Sequence, residues 1–217
     1  MDHDEARTRI LDAAEKLFYE RGIQSVGMDE LRSAAGVSLK RLYQCFPAKQ
    51  HLVEAYLRRR DARWRAELSA YVTAYVTECG GAPAARPLAV FDWLRSWFLE
   101  PGFRGCAFIN AYGEMGATAD GVARAAREHK AALLAYMTGL VRDALPAAEP
   151  AGPAELVESV EPAEPAELAA LAGQLALLVD GAITAAAITG DPDAARQALT
   201  AAESLLSAAS TGLRGRP

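Results

Sequence analysis

Apolar residues recur along this chain with a helical period, and no stretch shows the strict two-residue alternation of a half-buried strand. Ile10, Ala13, Ala14, Leu17 and Phe18 fall at i, i+3, i+4, i+7 and i+8, which puts one apolar stripe on a helix over Asp4 to Arg21. Gly22 ends it. A second helix begins near Met28, with Asp29 and Glu30 in the first turn, where they complement the helix dipole. Leu31, Ala34 and Ala35 form its inner face, and Gly36 stops it. Ser38 is a good N-cap for a third, short helix. That helix ends before Pro47, because the residue ahead of a proline is pushed out of the α region. A long fourth helix runs from about Ala48 into the seventies.

The stretch Glu78 to Pro87 is rich in Gly and Pro and reads as a connection. Further helices are expected over about 87–99, 107–116, 119–145, Glu167–Thr189 and Pro192 to about Ala209, the last with Asp191 as cap and Pro192 at the first helical position. Residues 146–167 hold five prolines, six glutamates and no Lys or Arg, the composition of a flexible acidic loop. The pattern predicts an all-α chain of about nine helices. An N-terminal domain covers residues 1–48, with the start of helix four to about 65, and a second domain covers 49–217.

Composition narrows the function. Half of the 217 residues are hydrophobic, enough for a sizeable core. No run of 18 apolar residues suggests a membrane span, and the charged start "MDHDEARTRI" lacks the apolar region of a signal peptide. Cys45, Cys79 and Cys106 have neither disulfide nor zinc spacing, and His3, His51 and His129 are scattered. No metal or cofactor is expected, and reduced thiols suit the cytoplasm. The net charge of −5 hides an asymmetry: residues 32–65 hold nine Lys and Arg against two Asp and Glu. A basic patch in an acidic chain is the footprint of a polyanion partner.

The second helix, the "AGVS" turn and the third helix form a helix-turn-helix candidate, a motif whose second helix enters the DNA major groove. Leu39, Leu42, Tyr43 and Phe46 are assigned to the packing side of helix three, and Lys40, Arg41 and Gln44 to the outer side. Lys or Arg can bond guanine O6/N7, and Gln can bond adenine N6/N7. The Ser38 and Tyr43 hydroxyls suit phosphate oxygens. Lys49, at the amides that open helix four, is a further phosphate contact. A Lys–Arg pair alone is usually a solvated surface; cap, turn, short amphipathic helix, proline and Lys49 together favour DNA.

"GIQSVGMDELRSAAGVSLKRLYQCFPAKQHLVEA" resembles the DNA-binding segment of the TetR family of bacterial transcriptional regulators, over about residues 6–65. Gly22, Leu31, Ala35, Gly36, Val37, Ser38, Leu42, Tyr43, Phe46, Lys49 and Leu52 stand where that family's pattern expects them. The chain departs from it at Val26–Gly27 (usually a threonine pair), Arg32 (usually alanine), Lys40 (often glycine) and Gln44–Cys45 (often a histidine region). The resemblance implies a homodimer, most often a repressor, on a palindromic double-stranded DNA operator. Gly27, Met28, Ser38, Leu39, Lys40, Arg41, Tyr43, Gln44 and Lys49 would meet the DNA.

The resemblance also implies a helical C-terminal domain that encloses a small, largely apolar effector, whose binding releases the operator. Trp93, Trp97 and Tyr136 are candidate ligand contacts because each joins a large apolar face to a polar tip. Phe108, Asn110 and Tyr112 are further candidates, in the apolar run "GCAFINAYGEMG". Buried polar groups there, Glu114 included, need partners: a ligand or, more simply, a backbone group at a helix terminus. The stretch 168–189 is apolar nearly all round with small residues in the majority, and the resemblance implies that residues 168–209 supply two helices of the dimer interface. An alternative is a DNA-binding regulator controlled by a protein partner or by the redox state of a thiol such as Cys106. An enzyme is disfavoured, since no phosphate-cradling loop, paired-histidine metal site or nucleophile elbow is present.

Overall fold

The computed structural model describes residues 2–78, 82–145 and 166–214. Among these it has nine α-helices and no strand: α1 His3–Arg21, α2 Met28–Ala35, α3 Leu39–Cys45, α4 Lys49–Glu78, α5 Arg86–Phe98, α6 Ala107–Met115, α7 Asp120–Ala144, α8 Ala166–Thr189 and α9 Ala194–Arg214. A 3-10 turn, Pro83–Ala85, precedes α5. The expected acidic loop at 146–165 and the thiol of Cys79 lie outside the described residues.

Packing divides the chain into two compact units. Unit 1 comprises Met1–Glu67 and Pro101–Ala131, and unit 2 comprises Leu68–Glu100 and Ala132–Pro217. These units are cut by contact, whereas the division expected at residue 48 is one of role.

In unit 1, α1 packs on α2 and α3. Ile10, Phe18, Leu31, Leu42, Phe46, Leu52 and Tyr56 close the core. Phe18 and Tyr56 meet edge to face at 5.7 Å. Gly36 ends α2 in the left-handed conformation, at φ 64, and its amide bonds back to Ser33. Alanine there would carry the cost of a β-carbon at positive φ. Of the expected inner face of α2, Leu31 and Ala35 are buried, but Ala34 is exposed.

Two polar clamps bind α6 to α1 within this unit. The Tyr19 hydroxyl donates to the Gly105 carbonyl and accepts from the Arg104 amide, both at 2.9 Å. The Arg60 guanidinium lies over the Tyr19 ring at 3.8 Å. At the other end of α6, the Glu114 carboxylate accepts from the amides of Ile23 (3.0 Å) and Gln24 (2.7 Å), which follow α1. Glu114 thus finds backbone groups as its partners, and Asn110 likewise donates to the Arg104 carbonyl at 3.1 Å. Where α7 starts, a side chain at Gly121 would collide with Glu54 of α4, so glycine permits the close approach.

Half-buried carboxylates tie α1, α4 and α7 together. Glu15 accepts from Arg59 (2.9 Å) and from Arg63. Asp61 pairs with His129 at 2.7 Å and with Arg65 at 2.7 Å. His129 is 4% exposed, stacked on Phe108 at 3.7 Å and edge-on to Trp64. Burial alone raises the pKa of both acids. Hydrogen bonds and charge from Arg63 and Arg59 outweigh it at Glu15, and those from Arg65 and His129 outweigh it at Asp61, so both carboxyls sit below their usual range.

A depressed folded-state pKa gives stability that is present above the unfolded values, about 4, and is lost as pH falls through the folded ones. The unfolding midpoint should therefore drop progressively below about pH 5. A double variant, Glu15→Gln with Asp61→Asn, should flatten that drop in a thermal melt series. An equally steep drop in the variant would refute this assignment.

In unit 2, α5 and α8 pack on α9. Val90, Phe91, Leu94, Leu175, Val179 and Ile183 are buried there. Tyr71 donates to Asp92, and burial together with that carboxylate pushes its phenol up to about 12. The start of α9 differs from expectation. Asp191 Oδ1 accepts from the Asp193 amide at 2.9 Å, forming a turn that contains Pro192, and the helix begins only at Ala194. It also runs past Ala209, to Arg214. By length and composition α8 could cross a membrane, yet here it packs against α9 and α5.

Candidate functional site

The α2–α3 motif is built by local rules. Gly27 occupies the N-cap of α2 with extended backbone and no side-chain bond, and Met28 opens the helix half-buried. Ser38 caps α3, its Oγ accepting from the Arg41 amide at 3.2 Å. Phe46, extended at φ −141, ends α3 ahead of Pro47. Lys49 is the first residue of α4.

The faces of α3 differ from the sequence reading. Leu42, Cys45 and Phe46 are buried, whereas Leu39 is 42% and Tyr43 45% exposed. Leu39, Lys40, Tyr43 and Gln44, at i, i+1, i+4 and i+5, make one exposed stripe, with Arg41 half-buried at its margin. Cys45, treated from sequence as a thiol, is a core residue that takes the place expected for Leu39 and Tyr43. The Arg7 guanidinium secures this end of α3, donating to the Cys45 carbonyl (3.3 Å) and lying over the Phe46 ring (4.5 Å).

The structure also redistributes the basic patch. Arg58 pairs with Glu54, Arg59 with Asp12 and Glu15, Arg60 and Arg63 with Glu15, and Arg65 with Asp61. Arg32 pairs with Asp29. The acids of α1 lie outside the window in which the cations were counted, so the count overstated the free charge. Among the described residues Lys40 and Arg41 form no ion pair. Lys49 lies 5.9 Å from the centre of the Phe18 ring. Burial lowers its pKa, and the charge of Glu114 partly offsets that.

The six candidate effector contacts do not fall in one unit. Trp93 and Trp97 stack at 5.5 Å in unit 2. Tyr136, in the same unit, lines a cleft of about 450 Å³ with Ser69, Thr73, Arg86, Leu140 and Asp143. Phe108, Asn110 and Tyr112 belong to unit 1, where Phe108 is buried and Asn110 and Tyr112 are exposed. The contribution of Tyr19 to the first unit was not foreseen in sequence, whereas Glu114, in the apolar run 105–116, takes the backbone partners that were the simpler expectation for it.

No cluster of three or more His, Cys, Asp or Glu that could hold a metal occurs among the described residues.

Residues 10–56 match the family model described as bacterial regulatory proteins, tetR family. The chain is 30% identical to a TetR-family transcriptional regulator of known structure from Streptomyces coelicolor, with a TM-score of 0.76 over 95% of this chain and 97% of that one. It is 44% identical over 63 residues to an uncharacterized HTH-type transcriptional regulator from Mycobacterium tuberculosis, covering 29% of this chain and 31% of the relative. It is also 44% identical over 59 residues to the HTH-type transcriptional activator FasR from Mycolicibacterium smegmatis, covering 27% of each. The match thus spans less than a third of the length of these curated relatives. Fold and full-length likeness agree with the N-terminal motif: the chain belongs to the TetR family, whose members are transcriptional regulators and not enzymes.

Proposed function

We propose that this chain is a homodimeric repressor that reads a palindromic operator with the exposed stripe of α3 and releases it when a small, largely apolar effector binds. One observation carries the reading: Lys40 and Gln44 stand exposed and unpaired on a helix whose other side is fixed by buried Leu42, Cys45 and Phe46. Lys40 and Gln44 are the base-reading side chains, flanked by Leu39, Arg41 and Tyr43. Gly27, Met28, Ser38 and Lys49 position the phosphate backbone. Two half-sites would lie about 34–36 Å apart.

Dimerisation through α8 and α9 is supported by Leu177 and Ile188 of α8, which are 73% and 79% exposed. A second copy would cover that face. The Tyr136 cleft, of small-molecule size, supports effector control. The free, buried thiols of Cys45 and Cys106 suit a reducing cytoplasm.

The test uses a duplex that the full chain selects from a random pool. Lys40→Ala should relax preference at one base position, a loss of about 1–3 kcal/mol of discrimination. Lys49→Ala should weaken all sequences about equally and lower the salt slope by about 1. Full affinity and selectivity in both variants, measured by fluorescence anisotropy, would refute the interface.

A further inference from the structure

The core of unit 1 leaves an apolar row on the outside of α3. Leu42, Cys45 and Phe46 fill the inner side, and Leu39 and Tyr43, four residues apart, stand 42% and 45% exposed on the outer one. The cap sets their direction: Ser38 Oγ accepts from the Arg41 amide at 3.2 Å and fixes the first turn, which Leu39 opens.

A single exposed leucine is ordinary on a protein surface. The surroundings of this one are not. The Leu39–Tyr43 row runs beside Lys40 and Gln44, a second exposed row of the same spacing, and Arg41 lies at its margin. α3 contains no acid. An apolar row among cations complements a polyanion that carries apolar groups on its inner edge. Duplex DNA is such a partner, because in the major groove thymine alone presents a methyl group beside the donors and acceptors of the bases. Leucine can neither donate nor accept. Against a cytosine amino group or a guanine carbonyl it strips water from a polar atom and returns no bond. Against the thymine methyl it gains apolar contact.

We propose that Leu39 reads the 5-methyl group of a thymine in each half-site, so that α3 distinguishes a methylated pyrimidine from an unmethylated one. The inference rests on the reading of α3 above and deepens it by naming the base feature that the apolar row recognises. Neighbouring Cα atoms are about 3.8 Å apart, close to the base step of about 3.4 Å. The thymine should therefore stand within about two base pairs of the base that Lys40 reads.

Fluorescence anisotropy of the full chain on the pool-selected duplex tests this. Each pair of thymines related by the dyad is replaced in turn by deoxyuridine, which removes the methyl and keeps every donor and acceptor of the groove edge. Burial of one methyl is worth about a fourfold change in affinity, so at one such pair the replacement should weaken binding about fifteenfold. Leu39→Ala should bind the thymine duplex more weakly and lose less than about twofold further on the deoxyuridine duplex, with an unchanged melting midpoint. At the same position 5-methylcytosine should bind about fourfold more tightly per half-site than cytosine, in the parent protein and not in Leu39→Ala.

No thymine pair whose replacement weakens binding, or a penalty at that pair that persists in full in Leu39→Ala, overturns the proposal and leaves α3 as the reading helix. Equal affinity of Leu39→Ala and the parent protein for the thymine duplex overturns it as well, and assigns the apolar row to another partner. Failure of the full chain to select any duplex refutes the DNA reading itself, and the proposal with it.

Discussion

Leu42→Ala will destabilise unit 1 by about 2–5 kcal/mol, a fall in melting midpoint of roughly 10 °C or more for a unit of this size. Leu42 is fully buried on the inner side of α3. Truncation removes apolar area and leaves a cavity, because α3, of about two turns, is held by α1 and α2 and cannot collapse far into the gap. Leu39→Ala, three residues earlier on the exposed stripe, should change stability by no more than about 0.5 kcal/mol. Chemical denaturation of both variants gives the comparison. Similar losses at 42 and 39 would mean that the faces of α3 are assigned wrongly.

Asp61→Ala should be the next most damaging change, costing about 2–3 kcal/mol, somewhat below the range for a fully buried pair because the Asp61 side chain keeps 18% of its exposure. The loss comes from the partner left behind. His129 is 4% exposed, wedged between Phe108 and Trp64, and would lose the carboxylate that its Nδ1 meets at 2.7 Å. Arg65, half-exposed, turns to water at little cost. Asp61→Asn, which keeps an acceptor at the same place, should recover part of the loss, and Arg65→Ala should cost less than about 0.5 kcal/mol. Urea titrations of the three variants test this ordering. If Arg65→Ala proved as costly as Asp61→Ala, the importance given to His129 would be wrong.

Punctuation made most of the fold legible. Gly22, Gly36, Ser38 and Pro47 fix where the first three helices stop and start, and each acts through the backbone of its own neighbourhood. Face assignment in α3 was less secure. Seven residues span about two turns, too few for an apolar stripe to declare itself when Leu39 and Tyr43 stand on the exposed side and Leu42 on the buried one. The charge count failed for a related reason: the acids that neutralise Arg59, Arg60 and Arg63 come from α1, more than forty residues away in the chain. The division of the effector candidates between two units was equally hidden, since the boundary falls inside α7, between residues 131 and 132, where one helix runs on unbroken.

The reach of Glu114 across some ninety residues bears on how such regulators can be recombined. A graft that moved only residues 1–67 to another scaffold would take α1 without the carboxylate that caps the Ile23 and Gln24 amides, and Tyr19 without the backbone of residues 104 and 105. The transferable module is therefore discontinuous in sequence. A working chimera has to carry residues 101–131 with the reading head, or supply an acid from the host at the same place.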